Sequence, residues 1–117
     1  MVSQIFDVTT DFNRDAAVVL DINSYNYVTV HVVTATSTVS FSASNDGGAI
    51  QGATNDEPAT AANFVAFLGT NLTAGTTATS LASGSAIFSF PAGVKYLKVS
   101  GTANSVTKLL ISCAKIS

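Results

Sequence analysis

The chain has 117 residues, a formal net charge of −2 at pH 7 and a charged fraction of only 10%, whereas Ser, Thr, Ala and Gly together supply 54 residues. A soluble monomer ordinarily has about a quarter of its residues charged, so this composition indicates a surface that neighbouring molecules cover. The length predicts one domain over residues 1–117, and the five scattered Lys and Arg residues exclude a nucleic-acid ligand because they supply no basic field.

Short segments that alternate apolar and polar residues recur along the chain, separated by clusters of Gly, Asn, Asp and Ser. This pattern is typical of an all-β protein, and helical periodicity is absent from it. We therefore predict a single antiparallel β-sandwich of jelly-roll or immunoglobulin-like type with about eight strands. The candidate strands are Gln4 to Val8, Ala16 to Ile22, Tyr25 to Ala35, Thr38 to Ser44, Ala62 to Leu68, Thr76 to Ala82, Ala86 to Phe90, Val94 to Ser100 and Lys108 to Ile116.

The third and fourth of these strands show which side chains we expect in the core. In the third strand Val28, Val30 and Val32 share one face, because alternate side chains leave a strand on opposite sides. Apolar residues also alternate with Ser and Thr over Thr38 to Ser44, which predicts a half-buried strand. The run Asn45 to Gly48 follows directly, and its residues favour a tight hairpin because they tolerate positive φ.

Two later segments have few residues to bury. Ile50 to Ala61 contains almost no apolar side chain and predicts a loop of about a dozen residues, a length that is often functional or mobile. Thr70 to Ser85 consists almost wholly of Thr, Ala, Ser, Gly and Leu, which predicts a flexible β-arm, with anchoring by Leu72 and Leu81 as the alternative.

The chain has no segment that predicts export or membrane insertion. Met1 to Gln4 is followed by polar and acidic residues, where a signal peptide would have an apolar stretch. The longest apolar runs, Ala16 to Leu20 and Phe64 to Leu68, are far shorter than the 18 or so residues that span a bilayer. Cys113 lies in an apolar stretch and is expected to be a buried small hydrophobic residue.

The sequence offers few groups for catalysis. His31 is the only His, and its neighbours on one strand face are Tyr27 and Thr29, with no acid beside them. A triad or a zinc site therefore lacks its parts, and we expect a structural or surface histidine. Glu57 is the only Glu and follows Asp56 directly, which does not suit the separated carboxylates of a glycoside hydrolase. We predict no enzymatic activity and no cofactor.

A calcium site is a weaker alternative. Asp7, Asp11 and Asp15 follow one another at four-residue spacing, but an EF-hand needs ligands at alternate positions, a Gly at the sixth and a Glu at the twelfth. That match fails. The acids between Asp46 and Glu57 could bind calcium in a sandwich loop, although turn formation is their preferred interpretation.

Sugar binding is the rival functional class. Exposed aromatic side chains of β-sandwiches stack on sugar rings, and Tyr25 and Tyr27 at the start of a strand, or Tyr96, would form such a platform. The chain has no Trp, so we favour core and interface roles for these tyrosines.

Three segments carry a resemblance to a known group of proteins. They are Tyr25 to Val30 (YNYVTV), Val39 to Gly47 (VSFSASNDG) and Phe90 to Gly101 (FPAGVKYLKVSG). Together they resemble small β-sandwich proteins of tailed-bacteriophage virions, namely head-decoration, head-fibre and tail-associated modules. In those proteins a strand ending in Ser-Asn-Asp-Gly and a later Gly-x-Lys-Tyr-Leu-x-Val strand recur. The resemblance covers about two-thirds of the chain, roughly residues 16–50 and 85–116.

The resemblance implies a non-enzymatic structural protein of the virion, synthesised in the host cytoplasm and placed on the capsid exterior or the tail. The expected role is a capsid decoration or cementing subunit that binds the major capsid protein and copies of itself, away from any membrane. A tail or fibre-base protein and a carbohydrate-binding module are the alternatives. Loops and exposed strand ends carry recognition on a rigid sandwich. The expected contact residues are Asn45, Asp46, Gly47, Gly48, Asp56, Glu57, Tyr25 and Tyr27.

Overall fold

Two antiparallel sheets and one short helix make up the computed structural model, which describes residues 2–45 and 63–116. The helix, α1, is Thr9–Asp15. The strands are β1 (Val2–Asp7), β2 (Ala17–Asp21), β3 (Tyr27–Ala35), β4 (Val39–Ser44), β5 (Val65–Ala66), β6 (Gly69–Asn71), β7 (Thr76–Ala78), β8 (Ser80–Leu81), β9 (Gly84–Phe90), β10 (Tyr96–Ser100) and β11 (Lys108–Lys115). The predicted antiparallel β-sandwich is confirmed, with eleven strands in the described residues in place of the eight or so that the alternation predicts.

The strands divide between the sheets in an order that follows the chain only in part. The six-stranded sheet has the order β1-β11-β3-β9-β6-β7, and the other has the order β2-β10-β4-β5, with β8 also paired to β4. From β1 to β4 every strand lies in a different sheet from the one before it, and the same holds from β7 to β11. The chain therefore passes repeatedly from one sheet to the other, and the core lies between them.

The alternation in β3 and β4 places the predicted side chains in this core. Val28, Val30 and Val32 are at most 1% exposed, and so are Val39 and Phe41 on the opposite sheet. The outward residues between them remain partly accessible. The expected inward faces of both strands are thus confirmed, because burial follows the two-residue period.

An aromatic cluster joins the two sheets at the centre of the core. The ring centroid of Phe41 in β4 lies 4.7 Å from that of Phe88 and 5.0 Å from that of Phe90, both in β9. The rings meet at tilted or edge-on angles, which their quadrupoles favour. Phe67 stacks on Phe90 at 5.2 Å, so the Phe90 ring is held from two sides.

The predicted absence of helical structure is wrong for α1. The Asp7 carboxylate accepts hydrogen bonds from the backbone N–H of Thr9 at 3.1 Å and from its hydroxyl at 2.6 Å, which fixes the turn between β1 and the helix. Ala16 ends the helix with a positive φ of 61°. A helix of seven residues is marginal by itself, and the buried Phe12 ring anchors it to the core.

The helix closes one end of the sandwich and links distant parts of the chain. The Thr9 hydroxyl accepts the N–H of Leu109 at 2.9 Å. The Asn13 side chain donates to the carbonyl of Val106 at 2.9 Å, and its Oδ1 accepts the N–H of Val106 at 3.3 Å. The described residues contain no helix with the length and apolar character needed to cross a membrane.

The segment between residues 63 and 85 differs from the predicted strands. In the described part of Ala62 to Leu68, from residue 63 on, only β5 is a strand. Thr76 to Ala82 is divided between β7 and β8, which lie in different sheets. Strand β6 is absent from the prediction. The predicted arm, Thr70 to Ser85, adds short strands to both sheets. These segments contain small residues without clear alternation, so their pairing depends on contacts with the rest of the sandwich.

We expect the substitution Gly69→Ala to lower the free energy of unfolding by about 1–3 kcal/mol. An added Cβ would lie 2.6 Å from the ring of Phe90, which Phe41 and Phe67 hold in place. Urea denaturation followed by circular dichroism measures the change. Thr73→Ala, in the exposed turn that follows β6, is the matched control and should change stability by less than about 0.5 kcal/mol. Equal stability of the two variants would show that the Phe90 ring moves without cost.

Candidate interaction surface

The side of the six-stranded sheet that points away from the core forms a broad surface, which we call the outer face. Its residues alternate with the core residues along each strand, and the register between strands arranges them in rows. The central row crosses all six strands and consists of Ile5, Ser112, Thr29, Ser89, Thr70 and Thr77. Every member is uncharged, and Ile5 at its end is 68% exposed.

A second row, the upper row, lies beside it and consists of Asp7, Leu110, His31 and Ile87. Leu72 extends this row, since its N–H donates to the carbonyl of Ile87 at 2.8 Å and its side chain is exposed. On the other side of the central row is the lower row, which consists of Ser3, Ala114 and Tyr27. Tyr27 is 55% exposed.

Formal charge on the outer face is confined to one corner among the described residues. Asp7 ends the upper row. Lys108 lies two residues before Leu110 in β11 and therefore on the same face of the sheet. The hydroxyl and N–H of Thr9, with a smaller contribution from the charge of Lys108, hold the pKa of Asp7 below its ordinary value. The rest of the face carries hydroxyl groups, apolar side chains and the imidazole of His31, so among the described residues it presents no Asp, Glu, Lys or Arg side chain beyond that corner.

The outward side of the five-stranded sheet has a different character. Val19 and Tyr96 are buried there in a small cluster, against which Phe64 packs. The Nζ of Lys98 lies 5.4 Å from the centre of the Phe64 ring, and that of Lys95 lies 5.5 Å from the centre of the Tyr96 ring. This side therefore buries its own aromatic groups and places charges around them.

The three tyrosines of the predicted sugar platform have different surroundings. Tyr25 precedes β3 and packs against the core, and its hydroxyl donates to Oε1 of Gln4 at 3.3 Å. Tyr96 is only 5% exposed, so its ring is not accessible for stacking. Tyr27 alone of the three lies exposed on the outer face. The structure thus does not bring Tyr25, Tyr27 and Tyr96 together on one surface.

Of the predicted loop contacts, Asn45 lies within the described residues. Its Oδ1 accepts the backbone N–H of Lys95 at 2.9 Å, so the side chain joins the end of β4 to the approach to β10. A groove of about 190 Å³ lies beside it, lined in part by Asn63 and Phe67 and by no charged side chain of the described residues. The other predicted contacts, Asp46, Gly47, Gly48, Asp56 and Glu57, lie outside the described residues, as do the loop and its calcium alternative.

The three aspartates at four-residue spacing have local partners. Arg14 pairs with Asp11 at 3.1 Å and with Asp15 at 2.8 Å, and Asp7, the last residue of β1, accepts the N–H of Thr9. Only Asp11 and Asp15 lie in the helix, where i and i+4 positions share one face. Within residues 2–45 and 63–116 no group of three or more His, Cys, Asp or Glu side chains is placed to hold a metal ion.

His31 and Cys113 have the expected surroundings. His31 lies in the upper row between Leu110 and Ile87, and Asp7 of the same row lies beyond Leu110. Cys113 faces the core and is 0% exposed, which confirms the predicted small hydrophobic role. Burial raises the pKa of its thiol to about 11.

The residues of the outer face were only partly identifiable from the sequence. Alternation in β3 places Tyr27, Thr29 and His31 on one side, and the lack of Lys and Glu there is the signal of a neutral surface. Ile5 and Ser112 join them only through the pairing of β3 with β11 and of β11 with β1. That pairing joins segments that are far apart in the chain, so no pattern in the neighbouring sequence predicts it.

We expect Cys113 to resist thiol reagents in the folded protein. Because its pKa is raised and its sulfur is buried, the reactive thiolate is scarce, and modification at pH 8 should be at least about 100-fold slower than in guanidinium chloride. Absorbance after addition of dithionitrobenzoate measures both rates. Cys introduced by Thr102→Cys, at an exposed position, should react promptly and serves as the control. Prompt reaction of native Cys113 would contradict its burial.

No protein-family model and no curated protein matches the sequence. The fold is similar to that of the SPBc2 prophage-derived protein YomS, with a TM-score of 0.65 and 16% identity over 96% of this chain and 92% of YomS. It is also similar to the PBSX exported protein XepA, with a TM-score of 0.63 and 16% identity over 97% of this chain. The match covers 38% of XepA, so this chain spans less than two-fifths of its length. The chain therefore shares its fold with YomS and with part of XepA.

Proposed function

We propose that the chain is a non-enzymatic structural protein of a bacteriophage particle. The observation that carries this proposal is the similarity of nearly the whole chain to YomS, a prophage-derived protein of almost the same extent. The PBSX exported protein XepA has the same fold in part of its chain. The resemblance of the strand and turn segments to virion modules supports the same role independently of the fold.

The outer face supports a role in assembly. It is neutral over most of its extent and bears the exposed apolar side chains Ile5, Tyr27 and Ile87. A free monomer usually relies on surface charge to stay dispersed, whereas a subunit surrounded by neighbours does not. A surface of this kind therefore suits a subunit that other virion proteins cover.

Within the particle, the proposed position is the capsid exterior, where the chain binds the major capsid protein and copies of itself. A rigid sandwich that presents an uncharged sheet face and loops to its neighbours suits a subunit that binds at symmetry-related positions. A tail or fibre-base position is the alternative. Of the three predicted contact residues that the structure describes, Asn45 and Tyr27 are exposed, and Tyr25 packs against the core.

Gradient-purified particles of the encoding phage test this proposal. We expect antibodies against the chain to detect it in the particle band, and immunogold electron microscopy to place the label on the heads. Label on the tails would support the alternative position. A second phage structural protein, probed in the same fractions, controls for intact particles.

Recovery of the chain only as free protein in the culture medium would contradict a structural role. That result would agree instead with a function like that implied by the description of XepA as an exported protein.

A further inference from the structure

We propose that the outer face is the surface through which two copies of this chain bind each other, by packing their six-stranded sheets face to face. This inference rests on the proposed function, which includes binding between copies of the chain. It further specifies the surface that the two copies use and their relative orientation.

The composition of the outer face favours a second copy as its occupant. Because the face is neutral apart from the corner at Asp7 and Lys108, it gains nothing from a strongly charged partner and meets no repulsion from itself. Its central row consists of Thr and Ser side chains together with Ile5. Such short side chains lose little conformational entropy when an interface orders them.

The size of the face also suits a dimer. Its strands have three to nine residues. With strands about 4.8 Å apart and a rise of about 3.3 Å per residue, the projected area is roughly 600 Å² per copy. Two copies would thus bury about 1,200 Å² or more, since side chains roughen the surface, and this reaches the lower limit for specific interfaces.

The rows are self-complementary about one particular axis. If a two-fold axis lies in the interface along the central row, the upper row of one copy faces the lower row of the other. Leu110 then lies over Ala114 of the second copy, so a large side chain meets a small one. His31 lies over Tyr27 of the second copy, so two flat rings meet.

The same axis keeps like charges apart. Asp7 of each copy faces Ser3 of the other copy, so the two carboxylates lie at opposite ends of β1. Lys108 lies at the margin of the face, where it remains in contact with water. The centre of the interface therefore has no formal charge, which agrees with the depletion of charged residues at interface cores, and the charged groups lie at its margin. Two sheets packed in this way keep their strands close to antiparallel across the interface.

Sedimentation equilibrium of the purified chain tests the surface. We expect a species of twice the 11.9 kDa chain mass, and we expect Thr29→Lys to raise the dimer dissociation constant by about 100-fold or more, because like charges would meet in the centre of the interface. Thr102→Lys makes the same change at an exposed position off the face and should leave the constant unaltered. Circular dichroism confirms that both variants fold.

Cross-linking tests the axis. Thr29 lies near the middle of the central row, so in the proposed dimer it lies close to Thr29 of the other copy. A short bismaleimide should therefore join two chains of Thr29→Cys, while the buried Cys113 stays unmodified. Thr102→Cys should give no covalent dimer under the same conditions.

A wild-type chain that stays monomeric at millimolar concentration would overturn the inference. So would a dimer that Thr29→Lys and Thr102→Lys weaken equally, or one that the bismaleimide does not link through residue 29. If the pure chain stays monomeric but sediments with phage particles, this inference fails while the proposed function stands. If the pure chain forms the expected dimer but is absent from phage particles, the proposed function fails while this inference stands.

Discussion

The contact between Phe41 of β4 and the paired rings of Phe88 and Phe90 in β9 is the interaction on which the rest of the structure depends. It joins the two sheets at their centre, and it sets which side of each neighbouring strand points inward. Once β9 faces Phe41, the pairing of β9 with β3 and of β3 with β11 transmits the same orientation across the six-stranded sheet. The side chains that point inward therefore determine which residues of these strands lie on the outer face.

The few charged side chains of the described residues are arranged differently on the outward sides of the two sheets. On the five-stranded sheet, Val19 and Tyr96 are buried beneath Phe64, with Lys95 and Lys98 beside the rings. On the six-stranded sheet, the corresponding positions hold Thr, Ser and exposed apolar side chains, and charge is confined to a corner. The five-stranded sheet buries its outward aromatic groups within the chain, whereas the six-stranded sheet leaves apolar side chains exposed that a neighbouring molecule is suited to cover.

The similarity to YomS extends over nearly the whole chain at only 16% identity. Two sequences can differ this much and share a fold because a sandwich requires the two-residue alternation and a filled core, and many residue combinations meet both requirements. The outer face is under no such requirement. Its residues can therefore differ between proteins that share the fold, and the proposed contact between copies is argued from them.

The sequence by itself determined the all-β class, the inward faces of β3 and β4 and the burial of Cys113, because side-chain alternation is a local pattern with a direct physical meaning. Only the tertiary structure decided that α1 forms, since seven residues with a single buried ring are stabilised by contacts with β11 and the core. It also decided the distribution of β6, β7 and β8 between the sheets. Above all it placed Ile5 and Ser112 beside Thr29, because strand pairing joins residues far apart in the chain and leaves no mark in the sequence around any one of them.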